Sequence, residues 1–381
     1  MRIKTTSKLF LFVALTFAVA GCRKEVKVAP EEVTNTLFPA EPDASVRGLY
    51  LVNEGNMYMN KASLDFVDFS TGSYRKNIYG QANQEVTKGL GDVGNDVGVY
   101  GSKLYVVVNG SNKVEVLNVK TGKRIQQIDI LNCRYITFSK GKAYVSAYLG
   151  QIGDPKAPNG IVAEIDTSSL KETKRVEVGR QPEEMAVVGT NLYVANSGGY
   201  TPGNYESTIS VINLETFKET KRIPVAINLH RLKADRYGDL YVTSRGDYLN
   251  VTSKLYVINT QTDQVKKVFD VAAGNIVIDD DLAYIYSSSF SITTGKSTIS
   301  YDMINVKDDV LLSRKFILDG NEKSIKVPYG LAVHPITKDV FVTDATDYVT
   351  PGVLYCFDPT GKKKWSVETG DIPAQFAFVY K

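Results

Sequence analysis

The chemistry available to this chain rests mainly on tyrosine, asparagine and arginine. It has 23 tyrosines but two histidines and three cysteines. Two histidines, His230 and His334, are poor material for a zinc site or a serine triad. Cys133 and Cys356 fall in strand patterns far apart in the chain, so they read as small core residues rather than a bridge. Tyrosine, asparagine, glycine and serine instead gather in segments 55–60, 148–159, 198–205, 245–250, 287–294 and 344–351. That is the composition of binding loops, because tyrosine offers a large amphipathic surface at low entropic cost. Shorter segments add amides and charges around Asn95, Arg134, Arg180–Glu184, His230-Arg231 and Tyr329. The candidate ligand contacts are therefore Tyr58, Arg134, Tyr148, Tyr200, Arg231, Tyr248, Tyr329 and Tyr348, with Asn95 and Asp347 as hydrogen-bonding partners. Arginine in such a place acts through planar hydrogen bonding and stacking. This set suits a large ligand with an amide-studded periphery, and a glycan almost as well.

An enzyme reading draws on other residues. Glu54, Asn95, Asp96 and Asn275 carry the oxygen ligands of hard cations, as in calcium-dependent lactonase-like hydrolases. Glu54, however, follows a strand expected to leave it away from the centre of the fold. No acid–base pair stands at a spacing that demands chemistry. The expectation is a binding protein, not an enzyme, with no metal and no cofactor of its own. Asp279–Asp281 reads as a solvated turn, and Arg245-Gly246-Asp247 as a chance likeness to an integrin tripeptide.

A repeated unit must position these loops. An aromatic strand recurs as Leu49-Tyr50-Leu51-Val52, Leu104-Tyr105-Val106-Val107, Ala143-Tyr144-Val145-Ser146, Leu192-Tyr193-Val194-Ala195, Leu240-Tyr241-Val242-Thr243, Ala283-Tyr284-Ile285-Tyr286 and Val340-Phe341-Val342-Thr343. The spacing, roughly 40–60 residues, is that of propeller blades or solenoid repeats. Each copy shows four strand signals with period-two alternation, broken by turn residues. The first copy begins at its aromatic strand with no inner strand before it, while Ile372–Val379 is an inner strand left over at the other end. The count balances if that segment pairs with the first copy, which closes a ring and removes free edges. The sequence thus predicts an all-β, seven-bladed β-propeller of four-stranded blades, with the long loops on one face.

These units carry a family resemblance. The Leu-Tyr-Val-x-Asn strands and Val-Ile-Asn-Leu-Glu-Thr turns resemble the YVTN or YncE-like propeller repeat. Asn53-Glu54-Gly55-Asn56, Leu90-Gly91-Asp92-Val93, Tyr329-Gly330-Leu331-Ala332-Val333, Asp344-Ala345-Thr346-Asp347-Tyr348 and Gly370-Asp371-Ile372-Pro373-Ala374 look like YncE-like propeller lipoproteins of the Bacteroidetes outer membrane. BtuG-type members of that group capture vitamin B12 and related corrinoids beside a TonB-dependent transporter. The resemblance implies capture of cobalamin or another corrinoid, as cargo, on the long-loop face and its delivery to such a transporter. It supplies no residue-by-residue contact. A glycan-binding or protein-docking subunit of an uptake complex is the alternative.

The N-terminal region fits that setting. Arg2, Lys4 and Lys8 precede an apolar run, Leu9 to Ala20, too short to span a bilayer, which takes about 20 residues. The run ends in Val19-Ala20-Gly21-Cys22, the pattern of a lipoprotein leader cut before an acylated cysteine. Residues 1–21 read as leader, 22–45 as a lipidated flexible tether, and 46–381 as the propeller. Each buried methylene of an acyl chain contributes about 0.8 kcal/mol, so the anchor alone holds the protein at a membrane, expected to be the cell surface. Three of the 45 basic residues lie in the leader, which leaves them equal to the 42 acidic ones. A neutral chain has no field to track phosphates, so nucleic acid is not an expected partner.

Overall fold

The computed structural model describes residues 34–151, 154–199, 201–291 and 296–381, without the side chains of 289–297. Residues 1–21, expected to be a leader, lie outside the described residues, as do Cys22 and Tyr200. Among those described, the strands form seven antiparallel sheets. The inner strands are Gly94–Tyr100, Cys133–Ser139, Pro182–Val188, Leu229–Ala234, Ala273–Asp279, Pro328–Val333 and Pro373–Tyr380. Each contacts the next, and Pro373–Tyr380 contacts Gly94–Tyr100, so the ring is closed. Pro373–Tyr380 pairs with Val46–Asn53, which makes the last strand of the chain the innermost strand of blade 1. The seven-bladed propeller expected from the repeats is the fold observed.

The repeated residues explain why the blades form and stack. The recurring aromatic is buried in every copy, from Tyr105 and Tyr241 at 0% exposure to Tyr284 at 6%. Its tip reaches the neighbouring blade where a partner exists: the Tyr50 hydroxyl donates to the Val119 carbonyl at 2.7 Å. The third strand ends in an Asx turn. The Asn213 side-chain oxygen accepts from the amides of Glu215 and Thr216 at 3.1 and 2.9 Å, and Asn118, Asp166, Asn259 and Asn305 do the same. Such a side chain replaces backbone partners and sets the reversal into the outer strand. Cys133 and Cys356 are buried and unbridged, with burial pushing the Cys133 thiol up to about 12.

One boundary differs from expectation. The tether was expected to run to residue 45, yet Thr34–Thr36 pairs with Ser73–Arg75 as a fifth strand on blade 1. Phe38 then stacks on Trp365 at 5.7 Å and lies 6.0 Å from Phe69. Three residues of Thr-Asn-Thr carry no apolar alternation, so nothing local marked the strand. The edge of blade 1 supplied the partner.

Candidate functional site

The site is built by two backbone devices repeated around the axis. In the first, every inner strand is bulged against its neighbour: near Asn95, Arg134-Tyr135, Glu183-Glu184, His230-Arg231, Gly274, Tyr329-Gly330 and Ala374 the register shifts. A bulge re-aims side chains, and here it turns a ring of them into the mouth of the channel. In the second, a residue just after the second strand, or in blade 6 within the longer strand Leu282–Ser291, donates its amide to the carbonyl of the residue leading into the inner strand. Glu54, Asn109, Tyr148, Ser197, Arg245, Ser288 and Ala345 do this to Ile372, Val93, Asn132, Gln181, Asn228, Ala272 and Val327, at 2.8–3.3 Å. Five of those acceptor residues (Val93, Asn132, Gln181, Asn228 and Ile372) have φ between 46° and 56°. For the β-branched Val93 and Ile372 this backbone is strained, and the repeated amide bond holds it.

The two rings enclose a cavity of about 650 Å³ on the axis. A groove of about 720 Å³ adjoins it between blades 5 and 6 and shares Arg245 and Tyr248. The cavity opens toward blade 6 because Gly274 and Ser288 occupy the ring positions there. A Cβ on Gly274 would meet the Tyr286 ring at 2.4 Å, so glycine lets that ring lie flat against the wall. The Tyr286 hydroxyl and the Asn275 amide both donate to the Tyr329 carbonyl, at 2.8 and 3.1 Å.

Charge is distributed unevenly. Glu183, fully buried, takes Arg134 at 2.9 Å, Arg245 at 3.4 Å and the Tyr148 hydroxyl at 2.7 Å. Burial opposes its ionisation, but Arg134 and Arg245 outweigh this and hold the carboxyl below its ordinary value. Glu54 accepts from the Tyr329 hydroxyl at 2.9 Å, and burial, stronger than that bond and the arginine charges, pushes it up. His230, 2.9 Å from the Tyr135 hydroxyl, is pushed well down by burial and then by Arg245, Arg231 and Arg134. It is therefore neutral. Arg231 lies 5.3 Å from the Tyr135 ring centre.

The cavity brings together five of the ten expected ligand residues: Asn95, Arg134, Arg231, Tyr248 and Tyr329. Asn95 and Arg134 are tied to one another, the asparagine oxygen accepting from Arg134 Nη1 at 2.5 Å. Tyr148 is 1% exposed and packs behind Arg134, so it builds the wall. Tyr58 is exposed on the rim, its amide held by Asp92 at 2.8 Å. Tyr348 is a second rim residue, edge-on to Tyr329 at 6.0 Å. Asp347 turns its Oδ1 onto the amides of Val349 and Thr350 at 2.9 and 2.8 Å, which shapes the loop. Tyr200 is outside the described residues.

Glu54 corrects an expectation. It does not lie away from the axis but lines the cavity, its amide held by the Ile372 carbonyl at 2.8 Å. Tyr135, Arg245 and Tyr286 also face the cavity and were not among the candidates. The signal for Glu54 and Arg245 was present: each is the residue immediately after the repeated aromatic strand. The four oxygen-bearing residues of the calcium reading are occupied with other partners. Asn275, for instance, serves Tyr329 and the Ile276 amide, and Asp96 the amides of Ile136 and Val97.

Fold and site together define a seven-bladed β-propeller with an axial cavity. The chain belongs to the family described as a domain of unknown function, DUF5074, which matches residues 47–378. No curated protein matches it. Among solved structures it is similar to a hypothetical selenium-binding protein of Sulfolobus tokodaii, with 11% identity, 90% of this chain and 96% of that one covered, and a TM-score of 0.63. A quinonprotein alcohol dehydrogenase-like protein of Bacteroides thetaiotaomicron shares 15% identity over 87% of this chain and 78% of that one, TM-score 0.61. Hydrazine synthase of Kuenenia stuttgartiensis shares 15% over 70% and 76%, TM-score 0.54. At such identities the likeness is one of fold.

Proposed function

We propose that this protein is a lipoprotein of the outer membrane, held at the cell surface through Cys22, that captures a corrinoid and passes it unreacted to a TonB-dependent transporter. The observation that carries the reading is the axial cavity, where phenol rings and guanidiniums face open space on the long-loop face. Its volume falls within the span of small-molecule sites, roughly 300–1,000 Å³. A corrinoid is larger than the axial cavity alone, and the adjoining groove gives it room. Tyr135, Tyr286 and Tyr329 offer surfaces for a flat macrocycle, and Asn109, Arg134 and Arg245 offer polar groups for its amide arms. The family resemblance of the repeats supports the same ligand.

A second observation supports the handover, or a purely docking role. Met57, Tyr58, Leu249 and Val349 are all more than half exposed on loops of the same face. Apolar side chains left in water around a site suit a protein partner.

The test is gel filtration of the chain from Arg23 onward with excess cyanocobalamin, followed by visible absorbance. Colour in the protein peak is expected. A colourless peak from folded protein overturns the corrinoid reading and leaves the docking role, to be sought by pull-down of membrane partners.

A further inference from the structure

We infer that the axial site is built for a ligand bearing an anionic group, such as a phosphodiester, sulfonate or carboxylate, which Arg231 receives. The inference deepens the capture reading and rests on it for the location of the site.

Arg231 projects from the blade 5 bulge and is 6% exposed. With the Gln375 amide oxygen turned toward it, Nη1 and Nη2 donate to that oxygen at 2.6 and 2.9 Å. Nε is buried with no acceptor. Gln375 is neutral, so it satisfies hydrogens without balancing charge. The carboxylates around the axis are committed to other groups. Glu183 holds Arg134 and Arg245. Glu184 holds Lys233 at 2.6 Å and the Leu232 amide at 2.8 Å. Glu54 takes the Tyr329 hydroxyl.

A guanidinium enclosed in this way is costly unless paired, since an isolated buried charge forfeits its hydration. An acid carried by the ligand would supply the pair, with Arg245 on the same wall as a second cation. The walls beside it are the rings of Tyr135 and Tyr286, so the recognised molecule has an apolar, flat body next to its charged group. For a corrinoid, that charge is the phosphodiester of the nucleotide loop, and the intact molecule should be preferred to the corrin ring without it.

Two matched pairs of probes test this on the chain from Arg23 onward and on its Arg231→Met and Arg231→Lys variants. Anilinonaphthalene sulfonate and phenylnaphthylamine differ by the sulfonate and are read by fluorescence. Cyanocobalamin and cyanocobinamide differ by the phosphodiester-linked loop and are read by calorimetry, with circular dichroism confirming the fold of each variant. Loss of a buried charge pair corresponds to about thirtyfold or more in affinity. The expected result is that the wild type prefers the sulfonate by that factor, Arg231→Met erases the preference, and Arg231→Lys keeps part of it. No sulfonate preference in the wild type, or an undiminished one in folded Arg231→Met, overturns the inference. Should Arg231→Met not fold, the wild type and Arg231→Lys still decide: a preference as strong with lysine as with arginine also counts against a guanidinium-specific site. If neither corrinoid binds while the sulfonate preference stands, the anion site holds and the corrinoid reading falls. Equal binding of both corrinoids without sulfonate preference gives the reverse.

Discussion

Asp96 has a larger effect on this molecule than its short side chain suggests. It lies in the inner strand Gly94–Tyr100, with its oxygens on the amides of Ile136 and Val97, both at 2.9 Å. Burial foremost, helped by the charge of Glu184, pushes it up to about 7 from 3.8, against the Ile136 amide and Lys233. Below about pH 4 it is protonated in both folded and unfolded chains and adds no pH dependence. Between about 4 and 7 the folded chain holds the proton more tightly, so stability falls as pH rises; above about 7 the whole loss is expressed. The difference amounts to roughly 4 kcal/mol at most, less what solvent screens at this partly exposed residue. Asp96→Asn should therefore gain on the wild type in thermal melting between pH 5 and pH 8. Parallel melting curves across that range would show that Asp96 ionises freely in the folded chain. At this scale the sequence was only partly legible. Arg231 and Tyr329 could be placed at the centre from their position before an inner strand. Tyr148 could not be told from a loop tyrosine, because its burial depends on Arg134 and Glu183, which arrive from different blades.

Elements repeat with a regularity that composition alone understates. Strands were legible because the buried aromatic and the Asx turn recur at fixed places, and both are local signals. The bulges were not, since a bulge adds a residue without altering the hydrophobic pattern. They nonetheless deliver Arg134, His230 and Arg231 to the axis. The edge strand Thr34–Thr36 was hidden for the opposite reason, having no pattern of its own. It carries Phe38 onto Trp365 and Phe69, and Leu37 donates to the Gly72 carbonyl at 2.8 Å. Removing residues 34–45 gives up a half-buried aromatic and a short ladder, about 2–3 kcal/mol. A chain beginning at residue 46 should melt a few degrees below one beginning at residue 33, by differential scanning fluorimetry. Equal melting temperatures would reduce the segment to a passenger.

The whole molecule is a ring in which no blade completes its own neighbourhood. Closure could be deduced by counting strands, and the structure has it: Pro373–Tyr380 lies between the inner strands of blades 7 and 2 and pairs with Val46–Asn53. The opening of the cavity toward blade 6 could not be deduced by such counting. It depends on which ring positions hold small residues, and only superposing the seven copies on Glu54, Asn109, Tyr148, Ser197, Arg245, Ser288 and Ala345 exposes that. A chain ended at Asp371 leaves the edge of Val46–Asn53 open, with Leu49 and Leu51 uncovered. It should lose the single sharp thermal transition of the full chain, and a synthetic peptide of residues 372–381 should restore it by strand addition. A truncated chain that melts as sharply and as high as the full one would mean closure contributes little.

That closing strand also has a consequence in time. Val46–Asn53 waits for the distant Pro373–Tyr380 before its inner edge is paired. Loop closure over almost the entire chain must therefore come late in folding. The axial cavity, assembled from bulges around the full circle, comes into being at that same step.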